Sequence, residues 1–347
     1  MVASLARPPA WPRLTPATLK AMRILVTGGA GYVGSVSVEQ LLEAGHEVVV
    51  LDSGASDNPA ADLGGAALVR GTYGDRTGVA ELLAAHRIEA VLHCAARSLV
   101  GQSMQQPALY FQENVAGGIA LLDGMRDAGV NRLVISSTAS VYGMPDASPV
   151  GEDAPLRPIN VYGETKRTLE AAAGWYARAY GLRAAALRYF NVAGASATNG
   201  EVHDPETHLI PNAIKAVLGG PPLNVWGDDY PTADGTPIRD YLHVVDLADA
   251  HRLALEATAP GDPRTESIMI CNLGSGRGFS VREVIAAVER VVGKPVPRVE
   301  GPRRPGDPPE LVAAIDRARE VLGWTPARST LDEMIGSAWA LASRRGA

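Results

Sequence analysis

A tyrosine and a lysine one helical turn apart have the spacing of an acid–base pair. Tyr162 and Lys166 lie in the run VYGETK of residues 161–166. A phenol normally keeps its proton up to pH about 10, so it is a poor base at neutral pH. A lysine ammonium on the same helix face, joined by a second positive charge, stabilises the phenolate and makes it a usable base. The pair therefore predicts removal of a proton from an alcohol while hydride leaves the same carbon.

Glycines upstream of this pair have the spacing of a dinucleotide-binding turn. Gly28, Gly31 and Gly34 follow a predicted strand and open a predicted helix. Bare backbone there lets a pyrophosphate approach the helix N-terminus, where free N–H groups and the helix dipole favour anions. Asp52 ends the next strand, where a carboxylate bonds the adenosine ribose hydroxyls and repels a 2′-phosphate. The pattern predicts NAD rather than NADP, and its cationic nicotinamide would supply the second positive charge.

A hydroxyl-rich strand end lies between these two features. Ser136, Ser137 and Thr138 close a predicted strand at its carboxyl end, the edge at which ligands bind in open α/β sheets. Such a run alone is more often a turn or helix cap. Because Tyr162 and Lys166 follow it, we expect the Thr138 hydroxyl to bond the reacting oxygen.

Short apolar runs alternate with helical stretches through the first half of the chain, which is typical of a parallel sheet covered on both faces. The predicted strands are 23–27, 47–52, 90–93, 132–136 and 183–189, and the predicted helices are 34–44, 80–86, 115–128 and 162–180. The expected fold class is α/β, a doubly wound parallel sheet of the Rossmann type with a smaller mixed α/β C-terminal domain.

Beyond residue 190 the predicted loops lengthen, which favours a role in substrate binding. The predicted loops are 191–207, 226–237 and 300–309, and helices are predicted at 211–218 and 281–292. We assign residues 22–190 to the NAD-binding domain. Residues 191–347 are assigned mainly to a substrate-binding domain, from which some strands and helices return to the first. Residues 1–21 are expected to be a disordered tail.

Composition narrows the class of protein. The 347 residues are 46% hydrophobic with a net charge of −6 and no basic block, so we expect no nucleic-acid partner. No apolar run reaches the roughly 18–20 residues of a membrane span, so we expect a soluble, cytoplasmic protein. Cys94 and Cys271 lie in or beside apolar strand-like runs without metal-ligand spacing, and we expect buried thiols and no metal.

Seven stretches of the chain carry recognisable motifs. They are 27–34 (TGGAGYVG), 136–143 (SSTASVYG), 161–166 (VYGETK), 188–191 (RYFN), 229–241 (DYPTADGTPIRDY), 272–274 (NLG) and 303–307 (RRPGD). By these motifs the chain, from Met22 to its C-terminus, resembles the extended short-chain dehydrogenase/reductase family and, within it, the UDP-glucose 4-epimerases. The stretch 229–241 is the most specific, since dinucleotide binding alone does not require it.

The resemblance implies an NAD-dependent isomerase that interconverts UDP-glucose and UDP-galactose. Tyr162 would take the proton of the C4 hydroxyl while the C4 hydride passes to NAD⁺. Lys166 would bond the nicotinamide ribose and lower the pKa of Tyr162, and Thr138 would bond O4. The 4-keto sugar would then turn over in the site and take the hydride back on its other face.

The same resemblance implies the binding residues, and the fork-shaped Arg239 and Arg304 suit a diphosphate while Trp226 can stack on uracil. The cofactor contacts would be Gly28, Gly31, Tyr32, Val33, Gly34, Asp52, Thr72, Tyr73, Cys94, Ala95, Ala96, Arg97, Ser98, Asn114, Ser136, Tyr162, Lys166 and Phe190. The substrate contacts would be Thr138, Tyr162, Asn191, His208, Leu209, Asn224, Val225, Trp226, Arg239, Arg304, Asp307 and Leu311.

The sequence departs from the family pattern in three places. Thr72 and Tyr73 stand where the family usually has an acid and an aliphatic residue for adenine, and Asp75 follows three positions late. Arg97 stands near the place of a cofactor-contacting lysine. Leu311 stands where the family has a tyrosine or a smaller residue, so we expect partial room for N-acetylated sugars and a side activity on UDP-GlcNAc and UDP-GalNAc.

Several alternatives remain open. Dehydratases and decarboxylases of this fold need an acid after the active-site threonine, and Ala139 and Ser140 follow Thr138 here. A 4-epimerase of another UDP-sugar, such as UDP-xylose or UDP-glucuronate, is the main alternative. A non-catalytic NAD-sensing module is more remote, since Tyr162 and Lys166 are both present. The resemblance also implies a homodimer through the predicted helices 115–128 and 162–180.

Overall fold

The computed structural model describes residues 21–54, 61–201, 203, 205–265, 268–304 and 306–345. Its strands are β1 Arg23–Thr27, β2 Glu47–Asp52, β3 Ala67–Arg70, β4 Ala90–His93, β5 Arg132–Thr138, β6 Arg183–Tyr189, β7 Asn191–Ala193, β8 Leu223–Trp226, β9 Ile238–His243, β10 Met269–Leu273, β11 Gly278–Ser280, β12 Arg298–Gly301 and β13 Glu310–Leu311. Its α-helices are α1 Tyr32–Glu43, α2 Arg76–Ala85, α3 Val100–Gln105, α4 Pro107–Tyr110, α5 Gly118–Asp127, α6 Val161–Tyr180, α7 Leu209–Val217, α8 Val244–Ala257, α9 Val281–Val292, α10 Asp316–Leu322 and α11 Leu331–Arg345.

The main sheet confirms the predicted doubly wound fold. Seven strands pair in the order β10-β6-β5-β4-β1-β2-β3, and every pairing is parallel. Chain order reverses between β1 and β4, which creates the crevice at the carboxyl edge where ligands bind in such sheets. The glycine-rich turn follows β1, and Thr138 ends β5, so both open into this edge.

Two apolar layers cover the sheet. One contains side chains of α1, α8 and α10, and the other contains side chains of α2, α5 and α6. The second layer buries Leu169, Ala173 and Ala177 of α6 against the sheet, so the opposite face of that helix looks outward. Burial of this stripe fixes the rotation of α6 and therefore where Tyr162 and Lys166 point.

The second half builds a separate core. Strands β11, β9, β13 and β7 form a small mixed sheet, and β8 pairs with β12 in parallel. Side chains of α7, α9 and α11 pack on these strands around Ile214, Val288 and Met334. This module stands at the carboxyl edge of the main sheet because β7 follows β6 after a single residue, Phe190.

The boundary at residue 190 does not separate two continuous domains. Strand β10 adds to the main sheet beside β6, and α8 packs on α1, so residues 244–273 largely return to the first domain. Their apolar residues are buried against sheet positions that the first half leaves uncovered. The return of some elements was predicted, but neither element was identified.

Several predicted bounds were wrong. Helix 115–128 is preceded by α4 and a π-helical segment, Phe111–Gly117, because Pro107 starts a helical run earlier than the apolar pattern does. Helix 80–86 begins at Arg76, where Asp75 caps it. Predicted loop 191–207 opens with β7, and loop 300–309 overlaps β12. Residues 1–20, most of the predicted tail, lie outside the described residues. Among the described helices, none combines the length and apolarity needed to span a bilayer.

Candidate active site

The glycine-rich turn brings α1 close to the end of β1. Gly28 has φ +69°, a left-handed conformation that favours glycine. A Cβ on Gly34 would stand 2.1 Å from the carbonyl oxygen of Gly28, so the helix can lie this near the turn only without a side chain. Gly31 is the N-cap and has no side chain to offer the first N–H groups of α1. This end of the helix is therefore shaped to accept an anion.

Asp52 holds the turn from the neighbouring strand. Its carboxylate is buried and accepts hydrogen bonds from the backbone N–H of Ala30 at 3.0 Å and of Gly54 at 2.8 Å. On the other side, the Tyr32 hydroxyl donates to the Gly194 carbonyl at 2.6 Å. The turn is thus fixed to β2 and to the second half of the chain. A carboxylate at this place fits the predicted ribose contact.

Helix α6 carries Tyr162 and Lys166, the predicted catalytic pair, to the end of β5. Asn160 caps it by accepting from the Gly163 N–H at 2.8 Å, so Tyr162 lies in the first turn and Lys166 one turn later. A Cβ on Gly163 would stand 2.5 Å from the Ser140 carbonyl oxygen, so this glycine permits the close approach. The phenol of Tyr162 is hydrogen-bonded to Thr138, which also accepts from the Ser140 N–H at 3.1 Å.

Burial sets the protonation of the two groups in opposite directions. Burial raises the pKa of Tyr162 to about 12, although the hydrogen bond with Thr138 lowers it. Burial lowers the pKa of Lys166 to about 8, and its Nζ donates to the Ser136 carbonyl at 2.7 Å. For the protein alone, desolvation outweighs the hydrogen bond with Thr138, and the predicted effect of Lys166 on the pKa of Tyr162 stays a prediction. A phenolate base here needs a further positive charge.

Groups behind the pair are neutral near pH 7. Burial, with the charge of Lys166, lowers the pKa of His93 to about 3. Burial raises the pKa of the Cys94 thiol to about 11 and that of Tyr189 well above its usual value. Tyr189 and Cys94 interact electrostatically with each other, and Tyr189 also interacts with Tyr162. Tyr189 was missed as a site residue, although it stands in the quoted motif RYFN.

The loop after β4 lies over the glycine-rich turn. A Cβ on Gly28 would meet Ala95 at 2.7 Å, so Ala95 touches that turn. Asn114, in the π-helical segment, accepts from the Arg97 N–H at 2.8 Å and donates to the Arg97 carbonyl at 3.0 Å and to Thr165 Oγ1 at 3.1 Å. Both amide hydrogens of Asn114 are therefore used within the protein, and it positions this loop. Ala96 is half-buried beside Cys94, and Ser98 is exposed.

The departure at residues 72–75 has a structural reason. Asp75 is the N-cap of α2 and accepts from the Gly78 N–H at 3.1 Å. The Tyr73 side chain turns into the core, packs edge-on against His93 and donates to the Glu113 carbonyl at 3.0 Å. Thr72 is exposed and accepts from the Gly74 N–H. In this stretch the Thr72 side chain is therefore exposed, while the Tyr73 side chain is buried.

The predicted nucleotide-binding arginines already have partners in the structure. Arg239 Nη2 donates to Asp307 Oδ1 at 2.5 Å, and the other carboxylate oxygen of Asp307 accepts from the Tyr230 hydroxyl at 3.2 Å. The Arg304 guanidinium stands 5.2 Å from the centre of the Trp226 ring. The four predicted residues thus lie in two pairs, and a nucleotide would have to exchange with these contacts.

The remaining predicted substrate residues differ in how available their side chains are to a ligand. Asn191 donates its amide to the Asp240 carbonyl at 3.0 Å, and His208 is the N-cap of α7, which Leu209 begins. Asn224 is exposed, but the Val225 side chain is buried in the second core, so only its backbone is available. Leu311 packs with Phe190 in one cluster and pairs with Arg239 in β9, which places it between the catalytic and nucleotide sides.

A buried polar network behind the site was missed. Glu170 of α6 and Arg188 of β6 form an ion pair at 2.6 Å, with side chains 4% and 2% exposed. Ser137 donates to Glu170 at 2.5 Å, and Arg188 donates to the Tyr142 hydroxyl at 3.0 Å. The charged residue inside the apolar strand 183–189 could have indicated a buried ion pair, because such a residue is almost never buried without a partner.

Residues 24–274 match the model of the NAD dependent epimerase/dehydratase family. The chain is 47% identical over 326 residues to the UDP-glucose 4-epimerase of Corynebacterium glutamicum, which covers 94% of this chain and 97% of that protein. It is similar to the crystal structure of UDP-glucose 4-epimerase from Brucella ovis in complex with NAD, with TM-score 0.88, 42% identity and coverage of 92% and 98%. The Bifidobacterium longum enzyme in complex with NAD⁺ and UDP gives TM-score 0.86, 32% identity and coverage of 93% and 99%.

Proposed function

Because this chain belongs to the NAD dependent epimerase/dehydratase family, we propose that it interconverts UDP-glucose and UDP-galactose by transient oxidation at sugar C4. The observation that carries the proposal is the juxtaposition of the hydrogen-bonded Tyr162 and Thr138 with Lys166, at the sheet edge where α1 begins. UDP-glucose 4-epimerases similar to this chain cover more than nine tenths of it, which supports the same chemistry.

The cofactor of this proposal is NAD, and the residues present fit it. The pyrophosphate would lie against the N-terminus of α1, where a side chain on Gly34 would collide with the turn. Asp52 would accept from the adenosine ribose hydroxyls, which disfavours a 2′-phosphate. When bound, NAD⁺ supplies the hydride acceptor and a positive charge beside the catalytic residues.

The proton steps fall to three side chains. In its phenolate form, Tyr162 accepts the proton of the C4 hydroxyl, and Thr138 holds O4 at the same place through its own hydroxyl. Lys166 contributes positive charge. Its Nζ is held in place by a hydrogen bond to the carbonyl of Ser136, the residue before Ser137 in β5. After the 4-keto sugar has turned over, Tyr162 returns its proton to O4 on the other face. No net proton is consumed.

The residues after Thr138 keep the oxidation transient. Ala139 and Ser140 begin a short 3₁₀ turn, Ala139 is buried, and the Ser140 N–H bonds Thr138. An acid in this segment is what a second elimination step would require, and the segment offers a methyl and a hydroxyl instead. The 4-keto sugar is therefore consumed by return of the hydride to C4.

Substrate retention is proposed to rest on the nucleotide and not on the sugar, since the sugar must turn over. Arg239 and Arg304 would exchange their contacts with Asp307 and Trp226 for diphosphate oxygens, which bidentate guanidinium groups bind well. Trp226 would then offer its ring to uracil. Asn191 and Leu311 lie on the sugar side of these arginines in this arrangement.

One experiment tests the reaction and its alternatives. The purified protein is incubated without added NAD with UDP-galactose, UDP-GalNAc, UDP-xylose and UDP-glucuronate, and the products are separated. We expect rapid conversion of UDP-galactose, slower conversion of UDP-GalNAc and cofactor that co-purifies. Preferential conversion of UDP-xylose or UDP-glucuronate would replace the proposed substrate.

Tyr162→Phe separates an enzyme from an NAD-sensing module. We expect loss of nearly all turnover with NAD still bound, since the ring remains and only the hydroxyl is lost. Tyr180→Phe is the matched control, because Tyr180 lies on the same helix with an exposed side chain. Full turnover in Tyr162→Phe would refute the assigned base.

We also propose a homodimer formed through α5 and α6 with the π-helical segment. Phe111, Ile119 and Trp175 are large apolar side chains exposed on these neighbouring elements, and Trp175 is 66% exposed. Burial of such side chains favours association. Light scattering should show twice the mass of one chain, reduced to one chain in Trp175→Glu. Leu218→Glu, at the residue that follows α7, should leave the measured mass unchanged.

The unpaired thiols Cys94 and Cys271 support the proposed cytoplasmic location.

A further inference from the structure

Four ionisable side chains converge in the loop that precedes α7. Glu201, His203, Glu206 and His208, the 201–208 cluster, have the spacing E-x-H-x-x-E-x-H. Among the described residues, Glu201, His203 and His208 form the group whose potential metal-ligand atoms all lie within 4.8 Å of one another. The expectation of no metal came from cysteine spacing and did not weigh this pattern.

The two carboxylates of the cluster are buried side by side. The side chains of Glu201 and Glu206 are 8% and 7% exposed. Glu201 accepts from His203 Nδ1 at 2.5 Å and lies 3.6 Å from His208 Nδ1, and Glu206 lies 2.7 Å from that same nitrogen. Buried carboxylates this close need positive charge near them. Two imidazolium groups or one divalent cation would supply it.

The cluster also lies near the phenol of Tyr32. Besides burial, the charges of Glu201 and Glu206 raise the pKa of Tyr32, whose hydroxyl donates to the Gly194 carbonyl at 2.6 Å. A dication bound by the cluster would reduce the negative charge that acts on this phenol.

We propose that the 201–208 cluster binds one divalent transition-metal ion, with Zn²⁺ as the preferred ion. Imidazole nitrogen and carboxylate oxygen together are ligands typical of Zn²⁺, at about 2.0–2.2 Å. A tetrahedral site of that size separates its ligand atoms by about 3.3 Å. Ligand atoms of Glu201, His203 and His208 already lie within 4.8 Å of one another, so binding would need the 2.5 Å hydrogen bond between His203 and Glu201 to open by less than 1 Å.

Metal binding would tie the chain segment ahead of α7 to the active-site edge. His208 occupies the N-cap position of α7, and Asn212 of that helix donates to the Glu206 carbonyl at 3.2 Å. The ion would therefore fix the start of α7, where His208 and Leu209 are predicted substrate contacts. This consequence rests on the proposed function, but binding of the ion does not.

The test measures metal directly on the protein as purified with its NAD. The holoenzyme is dialysed against a chelator, then against micromolar Zn²⁺, and bound zinc is determined by elemental analysis. We expect one ion per chain and no retention of Mg²⁺, which prefers oxygen ligands and keeps its waters. His203→Gln and Glu201→Gln should each weaken Zn²⁺ binding at least tenfold, whereas His86→Gln, at an exposed histidine elsewhere, should leave it unchanged.

Two results would overturn the proposal. One is less than a fifth of an equivalent of zinc on the unmodified protein, and the other is equal zinc binding by the His203 and Glu201 variants. Either would mean that the cluster consists of His–Glu ion pairs only. Circular dichroism checks that the variants are folded. Stoichiometric zinc on a protein without epimerase turnover would refute the proposed function and leave the metal site standing.

Discussion

Replacing Glu170 by Gln tests whether the buried ion pair behind the active site stabilises the fold as its geometry implies. Glu170 Oε2 and Arg188 Nη2 are 2.6 Å apart, and Arg188 Nε also contacts both carboxylate oxygens. The pair joins α6, one turn after Lys166, to β6. Ser137, which donates to Glu170, precedes Thr138 in β5. Loss of the pair should therefore disturb both stability and the catalytic geometry.

The magnitude follows from the burial of the partner that remains. Glutamine keeps the shape of Glu170 but leaves the Arg188 guanidinium, 2% exposed, without a countercharge. Breaking a buried pair in this way costs about 3–5 kcal/mol. Unfolding entropy near 2.1 cal/mol/K per residue gives roughly 0.7 kcal/mol/K for 347 residues. We therefore expect the melting temperature to fall by about 4–7 °C.

The assay is thermal unfolding with saturating NAD in every sample, so that ligand stabilisation stays constant. Arg188→Met and the double variant complete a cycle, and the double variant should be at least about 2 kcal/mol more stable than additivity predicts, because neither charge is then buried alone. Glu164→Gln is the control on the same helix, since its pair with Arg167 is partly exposed and is worth at most about 1 kcal/mol. Additive effects, or a shift below 1 °C in Glu170→Gln, would show that the ion pair does not stabilise the fold.

Three further predictions concern charge, backbone and pocket shape. Burial holds the pKa of Lys166 near 8 in the folded protein, against 10.5 in the unfolded chain, so the unfolded chain binds more protons between these two values. The free energy of unfolding should therefore rise by about 3 kcal/mol from pH 8 to 10.5. In urea unfolding, Lys166→Met should lack this rise, and an equal rise in that variant would contradict the prediction. Gly34→Ala should lose bound NAD and several degrees of melting temperature because of the 2.1 Å contact, whereas Gly336→Ala, with open space around it, should be neutral or stabilising. Leu311→Tyr should lower the ratio of UDP-GalNAc to UDP-galactose turnover by filling the wall beside Phe190, and an unchanged ratio would exclude the side-activity hypothesis.

Local sequence patterns predicted the elements that position the site, but they did not predict the long-range packing of those elements. Strands β2, β4 and β6 were predicted with their observed bounds, because buried parallel strands are continuous apolar runs with polar ends. The position of Tyr162 on α6 followed from its spacing to Lys166. Strand β10 was not predicted as part of the main sheet. Its apolar sequence indicates that the strand is buried but does not indicate which strand it pairs with.

Side-chain direction was the other limit of sequence reasoning. Tyr73 was predicted to contact the cofactor, yet its ring enters the core against His93. Asp75, which appeared displaced from a ligand-binding position, is needed where it is as the cap of α2. Arg239 and Asp307 were both predicted to bind the substrate, and their contact with each other, which joins two segments 68 residues apart, was not predicted. Such outcomes depend on tertiary contacts that no local pattern contains.

The electrostatics of the site explain how one tyrosine can serve both directions of a reversible reaction. With a pKa of about 12, Tyr162 holds its proton in the protein alone, while Lys166, with a pKa of about 8, remains largely charged at neutral pH. The neighbouring His93 and Cys94 stay neutral, so they neither store a competing proton nor screen the lysine. A bound NAD⁺ would place a second positive charge beside Tyr162, which would lower the pKa of the phenol. In the proposed reaction Tyr162 could then accept the proton of the C4 hydroxyl in one half of the cycle and return it to O4 in the other.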